Sequence, residues 1–454
     1  MKRAPFARTL VILAAACGLG AYLYFVESKR PPGDGKAKEK VFAGFKDVRE
    51  GLSEITIARP ADTVKLGKGS GGWRLLAPLS APADAGEVDA LLSGLETLEI
   101  DDVVAASPGD LAPYGLAAPR TTLTLAGGGG AAPLGLLVGN KAPAGGAVYA
   151  KLPGAPRVFT VASYGLAALD KKPFDLRDRA LLHAKRDEVK TLEVTAPGES
   201  YALLRQPGGD WAFTRPLATP AGRWPVDGLL GALESLRMEQ VAAEDAADLK
   251  PFGLDPPAYR VRLGLGDGTT RTIEIGSAAG EKKHHAREAS SRLVAVIPDA
   301  LVDDLNKGMK QLRARRLLDV AAYEVEGFDA QAAGVKKTFV RSGSKDKEGT
   351  DVYKWKRTAP TAADLDTNTV QDALFLIGGI DADDFVDQPG PPELYGLGAP
   401  ALRLDLRHEG GKPAVWVELG TRDGAWFARR AGDQGVLKIP SAKADELVKA
   451  FDKL

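Results

Sequence analysis

"DLAPYGLAAP" (Asp110–Pro119) returns as "DLKPFGLDPP" (Asp248–Pro257) and as "PELYGLGAP" (Pro392–Pro400). A stretch that recurs at long, regular intervals describes how a chain is built before it describes what the chain does. Other landmarks keep the same interval. Trp73, Trp211 and Trp355 are 138 and 144 residues apart, each with a proline five residues on at Pro78, Pro216 and Pro360. Tyr114, Phe252 and Tyr395 each precede Gly-Leu. Gly139, Gly276 and Gly420 close "LLVG", "IEIG" and "VELG", and "YAK" (Tyr149–Lys151), "HAR" (His285–Arg287) and "FAR" (Phe427–Arg429) follow. Four landmarks in one order make the chain three copies of one module.

Within each copy the pattern alternates between two periods. "VDALLSGLETL" (Val88–Leu98), "VDGLLGALESL" (Val226–Leu236) and "VQDALFLIGGI" (Val370–Ile380) repeat apolar residues at helical spacing. In the first copy the stripe is Val88, Leu91, Leu92, Leu95 and Leu98. "TTLTL" (Thr121–Leu125), "YRVRLGL" (Tyr259–Leu265) and "LRLDLR" (Leu402–Arg407) alternate with period two, as strands with one face on a core do. The expected fold is α+β. Three tandem modules each pair a mainly antiparallel sheet with a helix and follow one N-terminal transmembrane helix. In the recurring stretch, Asp110 is expected to cap a single turn, Gly115 to end it left-handed, and Leu116 to fold back onto it. Pro119 then releases the chain into a strand, and Tyr114 or Phe252 pins the corner to the core. The third copy carries Pro391 where an aspartate stands in the others.

The boundaries follow from these landmarks: an anchor over 1–27, a linker over 28–40, and modules over 41–182, 183–318 and 319–454. "LRDRALL" (Leu176–Leu182) and "LRARRLL" (Leu312–Leu318) join consecutive modules with little spare chain, so the modules are expected to pack on one another. Ahead of them, "TLVILAAACGLGAYLYFV" (Thr9–Val26) carries no charge. As a helix it would span about 27 Å, close to the roughly 30 Å hydrocarbon core of a bilayer. An uncleaved anchor is the reading. Lipoprotein processing at Cys17 is the alternative, although "AAAC" (Ala14–Cys17) has Ala14 where Leu is usual. Basic residues flank the span on both sides, so the positive-inside rule alone gives no orientation. Ser28–Lys40 is a polar Pro/Gly/Lys tether.

Composition excludes more than it assigns. Lys+Arg and Asp+Glu are both 60 in 454 residues, so no net field draws the chain to nucleic acid. One cysteine and four histidines leave no disulfide framework and little material for a metal centre. "AGGGGAAPLG" (Ala126–Gly135) lacks the Gly-Lys-Ser/Thr of a phosphate loop and leads into a strand, so it reads as a hairpin tip. "KKHHAR" (Lys282–Arg287) puts His284 and His285 on opposite faces of a strand, where they cannot share an ion. "DADDFVD" (Asp381–Asp387) has the acidity of a calcium loop but Val386 at its glycine position, and reads as the solvated end of a helix–strand connection. No catalytic, cofactor-binding or metal-ligating residue is assigned, no cofactor is expected, and no copy is read as carrying a polar constellation that its siblings lack.

The N-terminal "GAYLYFVE" (Gly20–Glu27), the Trp-x4-Pro element, the Tyr-Gly-Leu-x-x-Pro corner and "LRDRALL" together resemble the DUF4340 family of bacterial envelope proteins. That resemblance covers nearly the whole chain. It implies a single-pass protein of the inner membrane with its modules outside the cytoplasm. It also implies the company of ABC-2-type, gliding-motility-like transporter components. The family supplies no catalytic residues to carry over. The function expected is therefore a non-enzymatic accessory or scaffold. Its partners would be the membrane and an ABC transporter permease or other envelope proteins, with no nucleic acid. The alternative is a module binding envelope polysaccharide or a lipid-linked ligand; an enzyme ranks third.

Overall fold

The computed structural model describes residues 38–127, 133–143, 146–345, 351–408 and 415–454. The expected span Thr9–Val26 and the glycines Gly128–Gly130 lie outside them. Among the described residues no helix is long and apolar enough to cross a membrane. The chain parts into two compact units, one ending at Arg179 and one running from Ala180 to Leu454.

The first unit holds one sheet of nine strands: β1 (Leu52–Ala58), β2 (Thr63–Gly69), β3 (Gly72–Ala77), β4 (Ala81–Pro82), β5 (Asp102–Ala105), β6 (Thr121–Gly127), β7 (Leu134–Lys141), β8 (Ala147–Lys151) and β9 (Val158–Ala162). They lie in the order β4-β3-β2-β1-β6-β7-β8-β9-β5, antiparallel throughout. The second unit contains two more nine-stranded sheets with the same order, over residues 189–298 and 325–439. The threefold repeat is therefore a threefold repeat of topology. It also corrects the expected α+β balance: each copy is mostly β, with one long sheet and few helices.

The order explains why each copy needs its helix. Strand β4 is one edge of the sheet and β5 is the other, yet they are consecutive in the chain. The helix Ala85–Thr97 makes that crossing, and its stripe Val88, Leu91, Leu92 and Leu95, with Leu98 beyond it, is buried as expected. These residues cluster with Ile55, Ile57, Leu66, Leu123, Val138 and Phe159 of the sheet. The helices Arg223–Glu234 and Thr367–Gly378 bury Val226, Leu229, Leu230 and Leu233, and Val370, Ala373, Leu374 and Ile377. Asp84 caps the first helix by accepting from the Gly86 and Glu87 amides, and Asp366 caps the third from Thr369. The second helix starts at Gly222, which has no side chain to cap with.

The three tryptophans share one register position. Arg74, Ala212 and Lys356, each following its tryptophan, pair with Pro82, Pro220 and Asp364. The peptide bonds before Pro78, Pro216 and Pro360 are all cis.

Two local expectations change. Strand β5 and its counterparts Gln240–Ala243 and Asp384–Val386 are edge strands between helix and corner. "DADDFVD" therefore contains an edge strand, while its four aspartates are exposed as the solvated reading expected. The closing element also differs between copies: a 3₁₀ run over Ser163–Asp170, two short helices over Ala300–Asn306 and Gly308–Leu312, and a regular helix over Ser441–Lys453.

Candidate functional site: repeated corners and the joint of the second unit

A chain leaving edge strand β5 must reach β6 in the middle of the sheet, and so must pass the ends of β9, β8 and β7. The corner does this in three contacts. Tyr114 stacks edge-on against Tyr149 of β8, with ring centroids 5.2 Å apart. Gly115, at φ 67°, then lies on β7, where an added Cβ would stand 2.8 Å from the Asn140 amide nitrogen. Leu116 turns inward and is buried. The second copy repeats the path with Phe252 on His285 and Gly253 on Ser277, and the third with Tyr395 on Phe427 and Gly396 on Thr421. Asp110 and Asp248 accept from the Ala112 and Lys250 amides, as the capping expectation required. The aromatic ring behaves otherwise. Tyr114 is half-buried and grips the neighbouring strand, while the leucine enters the core.

This arrangement places the histidines. His285 is the second copy's aromatic platform, filling the place of Tyr149 and Phe427. Its Nδ1 lies 3.3 Å from the Ser277 hydroxyl, and His284 Nδ1 lies 3.4 Å from the Gly276 carbonyl oxygen. Among the described residues no group of three or more His, Cys, Asp or Glu is placed to hold a metal. At the third corner Glu393, Gly396, Gly398, Ala399, Ala401 and Thr421 line a depression of about 350 Å³.

The most heavily built polar site lies inside the second unit, where "LRARRLL" meets "DADDFVD". The joint is hydrogen bonded to both of its modules. Gly222 donates to the Leu312 carbonyl at 2.7 Å and Ala314 to Pro220 at 3.0 Å, on the second-module side. Ala382 then donates to Arg315 and Leu317 to Ile380, both at 2.8 Å, on the third-module side. Arg313 projects from this shared extended segment and its side chain is 1% exposed. It donates to Asp387, to Asp433 Oδ1 at 3.2 Å and to Thr219 Oγ1 at 3.2 Å, and its guanidinium stands 3.9 Å over the Phe385 ring. Its Nε finds no acceptor among the described residues.

Asp433 is buried as deeply, and Arg430 grips its other oxygen through Nε and Nη2 at 3.1 and 3.0 Å. Arg430 also donates to the carbonyls of Ala314, at 2.7 Å, and Arg316. Burial pushes its guanidinium below the ordinary value, while Asp433 pulls the other way. Around this centre Lys310 pairs with Asp384 at 2.7 Å, and Arg315 donates to the Ala382 and Asp383 carbonyls. Gln434 and Ala218 exchange two hydrogen bonds, at 2.9 and 3.1 Å. In the second unit, then, the expectation of packed modules holds for the second and third copies. The expectation that no copy has a private polar constellation does not. Counting from Phe427, His285 and Tyr149, the positions of Asp433 in the other copies are Ser291 and Ala155.

A second polar ladder separates the copies. Glu274 accepts from Arg260 and Arg287, and Glu418 from Arg403 and Arg429, each set on three neighbouring strands. The first copy has Thr122, Leu137 and Lys151 in these places. These are structural charges, directed at one another across the sheet.

The family model of a domain of unknown function, DUF4340, matches residues 73–212 and 211–400. The chain belongs to the DUF4340 family. Each match begins at a landmark tryptophan, so the family's unit is offset from the sheets: it opens on the strand of Trp73 or Trp211 and runs through a joint. No curated protein matches the chain. Among solved structures the chain is similar to a DNA polymerase sliding clamp from Pseudomonas aeruginosa with ligand, at 8% identity and TM-score 0.17, over 86% of this chain and 91% of that one. It is similar also to the DNA polymerase III subunit beta from the same organism, at 7% identity and TM-score 0.17, over 86% and 92%. At such scores the likeness carries no argument.

Proposed function

We propose that this DUF4340 protein is a non-enzymatic, membrane-anchored scaffold of the bacterial envelope whose modules bind a protein partner at an ABC-type transporter. The observation that carries the reading is the use made of charge. The buried ionic groups of the second unit hold strands and modules to one another, as Arg313, Asp433, Glu274 and Glu418 do. What remains for a partner is a preformed surface, and Trp224 and Phe375 stand on it at 82% and 76% exposure. Exposed aromatic side chains on rigid elements are the usual anchors of protein–protein contacts. The alternative, a polysaccharide or lipid-linked ligand, gains nothing from the third corner's depression, whose lining carries no aromatic ring for a sugar to stack on.

The test is purification of the full chain in mild detergent, followed by identification of bound membrane subunits. A transporter permease is expected to accompany the wild type and to be lost from the Trp224→Asp, Phe375→Asp double variant. Recovery of no transporter subunit, together with tight binding to purified envelope glycan, would overturn the proposal in favour of the alternative.

A further inference from the structure

We infer that Arg313 is a latch that makes the second and third modules one cooperative unit. The inference rests on the joint's geometry and is independent of the proposed function. Three features set Arg313 apart from an ordinary ion pair. It belongs to the second module's closing segment, yet two of its three acceptors, Asp387 and Asp433, belong to the third module and only Thr219 to the second. The third module buries Arg430 and Asp433 as a pair and offers the exposed Asp387 at the edge, whereas the second module alone holds Arg313 as a buried cation with no carboxylate of its own. The acceptor carboxylate is held from the opposite side by Arg430, which also grips the carbonyls of the joint itself. Separating the modules would leave Arg313 with Thr219 alone, and Phe385 would lose the guanidinium that covers it.

Parting the modules takes both carboxylates from the buried Arg313, and a buried cation stripped of its partner destabilises more than the intact pair stabilises. Local opening of either module at this face must therefore expose the other's charges, and the two open together. The acceptor half of the latch is specific to the third copy, since Ser291 and Ala155 occupy the places of Asp433 elsewhere. Cooperative opening is thus a property of this joint rather than of the repeat.

The experiment is a coupling measurement by native-state hydrogen exchange on the full chain in detergent. Leu404→Ala weakens the third module's core, where Leu404 is fully buried. The expected loss of amide protection in that module is roughly 30-fold or more. In the chain with Arg313 intact, amides of the second module's strand Tyr259–Leu265 should lose protection by a comparable factor. In the Arg313→Met background the same Leu404→Ala change should leave them within about twofold, the scatter of distant independent sites. Second-module protection untouched by Leu404→Ala with Arg313 present overturns the inference. So does transmission that persists in the Arg313→Met background, where a flexible apolar chain replaces the guanidinium. Should that variant not fold, Asp433→Asn provides the same comparison, since it weakens the cross-module bond while sparing the Phe385 contact.

Discussion

The carbonyl oxygen of Tyr114 occupies the place where a side chain on Gly139 would begin. The same is true of Phe252 over Gly276 and of Tyr395 over Gly420. Two landmarks that lie about 25 residues apart in each copy are thus one contact, in which the corner lies flat on the strand it crosses.

That contact predicts which glycines are irreplaceable. Gly139→Ala and Gly276→Ala should each lower stability by about 1–3 kcal/mol, the usual range for forcing atoms into a filled site. Gly115→Asn should fare no better. Asparagine tolerates the left-handed region better than most residues, but the Cβ at position 115 would meet Asn140. Thermal melts of the three variants check this, and an unchanged midpoint for Gly139→Ala would remove the close approach.

His285 should behave as a ring rather than as a base or ligand. His285→Phe, the residue its third-copy counterpart Phe427 already is, should leave stability within about 0.5 kcal/mol, as changes without a named mechanism do. His285→Ala should cost roughly 0.5–1.5 kcal/mol, the worth of an edge-on aromatic pair beyond its burial. Added zinc should not move the melting midpoint of the wild type any more than that of His285→Phe. A zinc shift that the Phe variant abolishes would restore a metal role.

The helix stripe makes a simpler forecast. Leu92, Leu230 and Leu374 are buried in the three crossing helices. Each Leu→Ala change should cost roughly 2–5 kcal/mol, read from denaturant unfolding. A cost below about 1 kcal/mol at any of them would place that helix outside its core.

Much of this architecture is legible in the sequence, and the illegible parts have a common cause. The repeat, the stripe Val88–Leu98 and the turn at Gly115 are local patterns, set by period or by a backbone conformation. Strand β5 escapes because four residues are too few to show a period, and Val103 and Val104 are both exposed. The joint escapes for a different reason. Arg313 lies 74 residues from Asp387 and 120 from Asp433, and each charge run taken alone looks like solvated surface. Only the fold brings the base to the acid. The corner's aromatic is an intermediate case: its recurrence is plain, but its partner is visible only once β8 is known to lie beside its path.

Acid should loosen the third crossing helix more than the second. The Thr369 hydroxyl, then the Thr369 amide, hold the Asp366 carboxyl below its ordinary value of 3.8. A depressed carboxyl stabilises the fold fully above its unfolded value, and that contribution is lost as pH falls through the folded value. Exchange of the amides at the start of Thr367–Gly378 should therefore accelerate below about pH 4 relative to the corresponding amides of Arg223–Glu234, where Gly222 offers no carboxylate. Asp366→Asn should flatten the difference. Identical pH profiles for the two helices in the wild type would remove the cap.

The ladder of Arg260, Glu274 and Arg287 allows a test of whether its charges stabilise or merely satisfy one another. Glu274 is nearly buried, and the two guanidinium groups approach its separate oxygens at 2.9 and 2.7 Å. Glu274→Leu alone leaves two cations facing each other across a half-buried strand, and should cost about 3–5 kcal/mol, as loss of one member of a buried pair does. The first copy folds the same three strands with Thr122, Leu137 and Lys151 in these places. Transplanting that set, as Arg260→Thr, Glu274→Leu and Arg287→Lys together, should recover most of the loss, because the buried carboxylate and one of its two cations disappear and the remaining lysine has no second cation facing it. The pattern sought in denaturant unfolding is strong non-additivity: one damaging single change and a nearly neutral triple. A triple variant as unstable as Glu274→Leu would mean that the ladder contributes net stability to the second sheet, and that the first copy compensates for its absence elsewhere.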